Sequence, residues 1–176
     1  CDVTDTDYPD LLATTISIVT PYLCVYCPGI GELLDLTDMS SEAATFEVNL
    51  LGMVKTTAAV LPAMTAVGHG HFIGISSLAD ELLSAEAPGY HASKAGFSNY
   101  LEGLALATRG TGVYITNVRF GFVDTKMAKG DVKPFMMPVE KAVDHIMKCI
   151  QKKPARHTAP KAAIPLVKLR KWMMRL

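Results

Sequence analysis

Net charge is what this sequence most plainly lacks. Its 17 Lys and Arg stand against 17 Asp and Glu in 176 residues, so the formal charge at neutral pH is zero. A chain with no basic excess has no electrostatic hold on a phosphate backbone, which excludes nucleic acid as a partner. Charged residues are also scarce, 19% against 49% hydrophobic. That balance excludes a solvated disordered chain and suffices for one packed domain. No uninterrupted apolar run reaches about 18 residues, so a membrane-spanning helix is not expected. The acidic, polar start does not read as a signal peptide. Cysteine is limited to Cys1, Cys24, Cys27 and Cys149. Cys24 and Cys27 have redox or zinc spacing, yet they sit in the apolar, strand-like run from Tyr22 to Tyr26. No second pair or His cluster completes a ligand set. No metal is expected, and the thiols read as buried, reduced groups of a cytoplasmic protein.

What is present alternates between helical and strand patterning, without repeats, which favours a parallel α/β sheet. Tyr8 to about Val19 has strand-like composition in Thr14, Thr15, Ile16, Ser17, Ile18 and Val19. Tyr22–Cys27 reads as a strand. Ser40 reads as the cap of a long helix with Ala43, Phe46, Leu50, Val54 and Leu61 at helical spacing. Gly70–Ser77 reads as a buried strand ending in two serines, and Val113–Phe120 as another. Pro88 to Thr108 reads as a helix opened by proline and stopped at Gly110. Pro138 opens a further helix through Glu140, Val143, Ile146 and Ile150 that closes before Pro154.

Chemistry concentrates at Tyr90, His91, Ala92, Ser93 and Lys94, with Ser77 upstream and Asn49 further back. Tyr and Lys four residues apart share one helix face. An adjacent ammonium favours the phenolate, so a phenol that titrates near pH 10 is brought closer to neutrality. A hydroxyl such as Ser77 can hold a carbonyl or alcohol beside that phenol, giving proton transfer at an alcohol or ketone carbon. These groups carry no redox equivalents, so a hydride carrier is implied. The spacing alone is a weak signal, since a surface Tyr with a solvated Lys meets it equally well. Its setting after a strand that ends in Ser strengthens it. His91 lies about 100° round the helix from Tyr90 and reads as a packing or surface residue.

Six segments together resemble the short-chain dehydrogenase/reductase family. They are Cys1–Asp5, Pro28–Gly31, Val48–Gly52, Ile75–Ser77, Tyr90 through Lys94, and Phe120–Thr125. The resemblance covers nearly the whole chain and implies a Rossmann-like doubly wound parallel sheet. By this likeness the ambiguous Tyr8–Val19 stretch is a helix. Tyr90 is then the general acid/base and Lys94 its partner and a holder of the nicotinamide ribose. Ser77 orients the substrate oxygen, and Asn49 completes a proton path. Asp2 and Val3 would face adenine, and Gly29 belongs to the cofactor-binding segment. Gly121, Val123 and Thr125 would lie beneath the nicotinamide of NADP or NAD. Thr125–Met137 corresponds to the substrate loop. There Met127, Phe135, Met136 and Met137 would offer a soft apolar wall or pack into the core. Helices near Ser40–Met64 and Pro88–Thr108 would pair copies into a homodimer or homotetramer.

The same resemblance marks departures. The family opens with a strand and a Gly-rich turn that receives the cofactor pyrophosphate, and no such turn occurs here. The chain therefore reads as a single partial domain, 1–176, lacking the first βαβα portion, roughly 55–60 residues by analogy. Tyr26 and Cys27 stand for an Asn pair, with altered local bonding expected. Phe120 stands for a Pro before Gly121. The function implied is an NAD(P)-dependent oxidoreductase interconverting a secondary alcohol and a ketone. The alternative is a catalytically incompetent relative that acts as a binding or oligomerisation subunit. The tail, residues 161–176, has Lys161, Lys168, Arg170, Lys171 and Arg175 and no acid. As a helix it would place Lys168, Lys171 and Arg175 on one face beside Leu169, Trp172, Met173 and Leu176. Such a helix suits peripheral membrane contact or docking on a second subunit.

Overall fold

The computed structural model describes residues 1–128 and 133–173. Part of the Thr125–Met137 loop and, in the tail, Arg175 and Leu176 lie outside the described residues. The elements run α1 (Tyr8–Ile18), β1 (Leu23–Tyr26), α2 (Ser40–Phe46), a π-helical turn (Glu47–Leu51), α3 (Gly52–Val67) and β2 (Gly70–Ser77). A 3-10 turn (Leu78–Glu81) leads to α4 (Pro88–Ala107), β3 (Val113–Phe120), α5 (Val139–Lys152), β4 (Arg156–Ala159) and α6 (Ile164–Met173). The four strands are all parallel and ordered β1-β2-β3-β4.

Parallel strands covered on both faces are buried along most of their length, and β2 and β3 are, with His71, Ser76, Thr116, Asn117 and Arg119 buried among their apolar residues. Their alternate residues feed two separate cores. Phe72, Val113 and Ile115 join Met53, Val60, Met64, Phe97 and Leu101 on one face. Ile73, Val118 and Phe120 join Ala142, Cys149 and Ala159 on the other. A Cβ on Gly74 would stand 2.3 Å from Leu101 Cδ1 and 2.8 Å from Phe97 Cζ. The bare glycine therefore lets α4 lie close on the sheet, which carries its first turns to the ends of β1 and β2.

The helix reading of Tyr8–Val19 holds. Its Tyr8 hydroxyl pairs with the buried Thr56 hydroxyl at 2.7 Å, a tertiary contact that overrides local strand propensity. The long helix differs from expectation in two ways. Ser40 is its first residue rather than its cap, because the Asp38 carboxylate takes the Ser40 amide at 3.0 Å. The π turn then inserts an extra residue and rotates the face that follows. Of the expected face, Leu61 is buried and Leu50 and Val54 pack against the core beside buried Asn49, Met53, Val60 and Met64, while Ala43 and Phe46, before the π turn, are exposed. By length and composition Ser40–Val67 could cross a membrane. Met53, Val60, Leu61 and Met64 nevertheless belong to the core.

The cysteines also correct the sequence reading. All four are free, but only Cys149 is buried, with Cys24 half-buried and Cys1 and Cys27 exposed. Cys27 lies one residue past β1, where the sheet no longer covers it. In the loop before α5, Met137 enters the second core, whereas Met127, Phe135 and Met136 stay 40%, 50% and 44% exposed.

Candidate active site

Ligand sites of open parallel sheets form beyond the carboxyl ends of the strands, and the chemistry-bearing residues gather there. The π turn places Asn49, fully buried, against the loop that leaves β1. Its Oδ1 accepts from the Ile30 amide at 2.8 Å, and its Nδ2 donates to the Ile30 carbonyl at 2.9 Å and to Ser93 Oγ at 3.0 Å. The Tyr26 hydroxyl donates to the Val48 carbonyl at 2.8 Å, satisfying a carbonyl inside the π turn. This is the altered bonding expected where Tyr26 replaces Asn.

α4 begins on Pro88, whose missing amide costs nothing at a helix start. Tyr90 and Lys94 then face the strand ends. The Ser77 hydroxyl accepts from the Ala79 amide at 3.1 Å and acts on the Tyr90 phenol, lowering its pKa. A Cβ on Gly31 would meet Tyr90 Cδ2 at 2.8 Å, so this loop backbone lies directly on the ring. His91 pairs with the Leu82 carbonyl at 3.1 Å, which puts the ring proton on Nδ1 and gives the residue a packing role. Lys94 Nζ donates to the Ile75 carbonyl at 3.1 Å, lies 4.9 Å from the Phe97 ring centroid, and lies 6.0 Å from that of Tyr90.

The electrostatics differ from the sequence expectation. Burial pushes the Tyr90 phenol above its ordinary range, Ser77 pulls it back in part, and the Asp80 charge pushes it further up. Burial brings the Lys94 ammonium down to about 8, opposed by the nearby charges of Asp80 and Cys27. Desolvation is thus the largest influence on both groups in this structure.

A second polar network escapes a motif-based reading. Arg119 forks onto Asp80, Nε to Oδ2 and Nη2 to Oδ1, both at 2.6 Å, and reaches Glu81 at 2.6 Å. Ser98 Oγ donates to Asp80 at 2.5 Å and pairs with Ser76 Oγ at 2.8 Å. Ser76 and Ser77 thereby divide their labour across the strand, one toward this network and one toward Tyr90. The Arg119 and Asp80 side chains are 4% and 3% exposed. No local pattern announces this pair, because its partners lie 39 residues apart.

Of the remaining expected positions, Gly29 lies against this centre, while the others sit in local settings of their own. A Cβ on Gly29 would stand 3.4 Å from Lys94 Nζ and 3.6 Å from Asn49 Oδ1. Asp2 is exposed and closes a turn onto Thr4, while the Val3 side chain packs beside Gly52. The Gly121 amide donates to the Ala159 carbonyl at 2.9 Å. Val123 packs on the second core and bridges to Met137. The Thr125 carbonyl accepts from Ala128, and Met127 is exposed.

A family model described as short chain dehydrogenase matches residues 2–134. An uncharacterised oxidoreductase of Myxococcus xanthus is 36% identical over 122 residues, covering 68% of this chain and 48% of the relative. Dehydrogenase/reductase SDR family member 7B of Danio rerio is 32% identical over 98 residues, 56% of this chain and 31% of the relative. Among solved structures, a short chain dehydrogenase from Burkholderia cenocepacia in complex with NADP superposes with a TM-score of 0.84 at 22% identity. The match covers 99% of this chain and 77% of that one. A short-chain dehydrogenase from Streptomyces avermitilis gives 0.80 at 23% identity, over 99% and 74%. The chain spans about half the length of the curated relatives it matches.

Proposed function

The chain belongs to the short-chain dehydrogenase/reductase family, and from that premise we propose that it serves an NAD(P)-dependent oxidoreductase interconverting a secondary alcohol and a ketone. The observation that carries this reading is the convergence of Ser77, Tyr90, Lys94 and Asn49 at one end of the sheet, where Ser77 bears on the Tyr90 phenol.

The residues present fit the nicotinamide end of a dinucleotide. Gly29 leaves open the space beside Lys94 Nζ and Asn49 Oδ1 that a side chain would fill. When bound, the dinucleotide supplies or accepts the hydride. Lys94 and Gly29 would hold its ribose, Gly121, Val123 and Thr125 its carboxamide, and Asp2 and Val3 its adenine. Ser77 donates a hydrogen bond to the substrate oxygen. Tyr90 gives that oxygen its proton in ketone reduction and takes it back in alcohol oxidation. Asn49 fixes the Ile30 loop and serves a water-borne proton path, and Met127 contributes to the substrate wall. Placement and alkoxide stabilisation would supply most of the rate.

The test is nucleotide titration followed by turnover with NADH and NADPH on a panel of ketones. The wild type should bind one of the two nucleotides and reduce a ketone, and Tyr90→Phe should keep that affinity and lose turnover. Undiminished turnover in Tyr90→Phe would overturn the assignment. Failure to bind either nucleotide would favour the binding-subunit alternative.

A further inference from the structure

Helix α6 buries none of its side chains fully. Wound at 100° per residue, its half-buried residues Ile164, Val167 and Lys171 fall in one arc of about 60°. Lys171 is tied there to Glu81 at 3.5 Å, on the same turn that Arg119 clamps. The opposite face, an arc of about 120°, holds Trp172, Pro165, Leu169, Met173 and Leu166. Of these, Leu166, Leu169, Met173 and Trp172 are 46%, 53%, 54% and 61% exposed. Exposed Lys168 borders this arc on one side and exposed Arg170 on the other. From Lys161 to Met173 there are four cations and no carboxylate. The exposed apolar stripe on α5, Val139, Val143 and Met147, is different, because Glu140 and Asp144 flank it.

We propose that the outward face of α6 is a lipid-docking surface for an anionic bilayer. The helix lies flat in the headgroup region, with the apolar arc in the acyl boundary and Lys168 and Arg170 reaching lipid phosphates. Charge complementarity selects this occupant: an apolar arc with a large aromatic, cations at both edges and no acid matches a negatively charged interface. The long stems of Lys168 and Arg170 let the charges stay in the headgroups while the arc inserts. The ion pair of Lys171 holds the helix so that this arc stays outward. The surface stands independently of the oxidoreductase reading.

Trp172 is the only tryptophan in the chain, so its fluorescence reports this face alone. The experiment mixes the full chain with phosphatidylcholine vesicles with and without phosphatidylserine, and follows emission and flotation. The expected result is a blue shift and flotation with phosphatidylserine only, weakened by salt. Lys168→Glu and Arg170→Glu should each lower the partition coefficient at least about fivefold. Leu169→Glu, at an exposed site that leaves the fold intact, should abolish binding. Absence of a shift on anionic vesicles, or equal binding to neutral ones, overturns the proposal. A blue shift without vesicles that grows with protein concentration and tracks dimer sedimentation also overturns it, and assigns the face to a second copy.

Discussion

The two ends of the β-sheet carry nearly the same side-chain types and do different things with them. At the carboxyl end, Lys94 lies near the Tyr90 and Phe97 rings, and Arg119 grips Asp80. At the amino end, Lys153 lies 4.5 Å from the Tyr114 ring and 5.4 Å from that of Tyr22, and Arg156 grips Glu102. Composition therefore cannot explain why only one end resembles an active site. Burial can. Lys94 is 4% exposed, whereas Tyr22 and Tyr114 are 55% and 46% exposed. At the carboxyl end, desolvation moves the phenol and the ammonium away from their ordinary behaviour, and Ser77, Asn49 and a bare Gly29 converge on them. At the amino end Tyr22, Tyr114 and Arg156 are exposed to water.

Removing one phenol from each end should break this comparison most sharply. Tyr90→Phe is expected to lower kcat on the order of 10²–10⁴-fold, the usual worth of a positioned acid/base. Tyr114→Phe should leave kcat unchanged, and steady-state kinetics on both variants checks the pair. A comparable loss in Tyr114→Phe would mean that the amino end takes part in turnover.

The two arginine pairs sharpen the comparison in stability. Arg119→Met strands the Asp80 charge among groups that are almost fully buried, at a cost of about 3–5 kcal/mol. Arg156→Met breaks a pair whose side chains are 52% and 28% exposed, worth only ~0–1 kcal/mol. Urea denaturation of both variants gives the ratio directly. Equal losses would show that burial is not what separates the ends.

Protons should separate them along the pH axis. Lys94 titrates at about 8 in the folded chain against an ordinary 10.5, so the unfolded chain binds the extra proton between those values. Stability should therefore rise as pH increases from about 8 to 10.5, and Lys94→Met should flatten that rise. His71, buried at the amino end beside Thr116, is pushed down to about 4 from 6.5 by burial, with Lys153 adding to the effect. The unfolded chain protonates first there as well, so stability should fall as pH drops from 6.5 towards 4. His71→Gln should remove that acid limb. Denaturation midpoints across pH, compared between variant and parent, measure both on the order of 1–3 kcal/mol.

Much of this contrast was visible in the sequence, and the remainder was hidden for physical reasons. β2 and β3 were readable from their apolar and β-branched residues, Phe72, Ile73 and Ile75 in one and Val113, Ile115, Val118 and Phe120 in the other. Tyr90, Lys94, Ser77 and Asn49 were readable because each sits in a recognisable local pattern, and the structure brings them to one end of the sheet. β4 was not, since Arg156–Ala159 is only four residues long, is polar for three of them, and is bounded by Pro154 and Pro160. In the long helix Leu50, Val54 and Leu61 keep the expected inward face, while the π turn between Phe46 and Gly52 leaves no local mark in side-chain spacing. The low-polarity setting of Tyr90 was also hidden. Tyr-x-x-x-Lys reports proximity, while burial depends on Gly31 and the loops folding over the ring.

The smallest expected effect belongs to β1, which Tyr22 precedes and Tyr26 ends. Tyr26 donates its hydroxyl to the Val48 carbonyl in the π turn, and Tyr22 shares its hydroxyl with Lys153 Nζ at 3.2 Å in solvent. Tyr26→Phe leaves a partly buried carbonyl without that donor and should cost about 1 kcal/mol. Tyr22→Phe should cost close to nothing, because water replaces the lost bond. Because Val48 precedes Asn49, Tyr26→Phe should also loosen the Asn49–Ile30 pairing, seen as faster amide exchange at Ile30 with no change in Tyr22→Phe. Unchanged exchange in Tyr26→Phe would show that the π turn holds Asn49 without help from the strand.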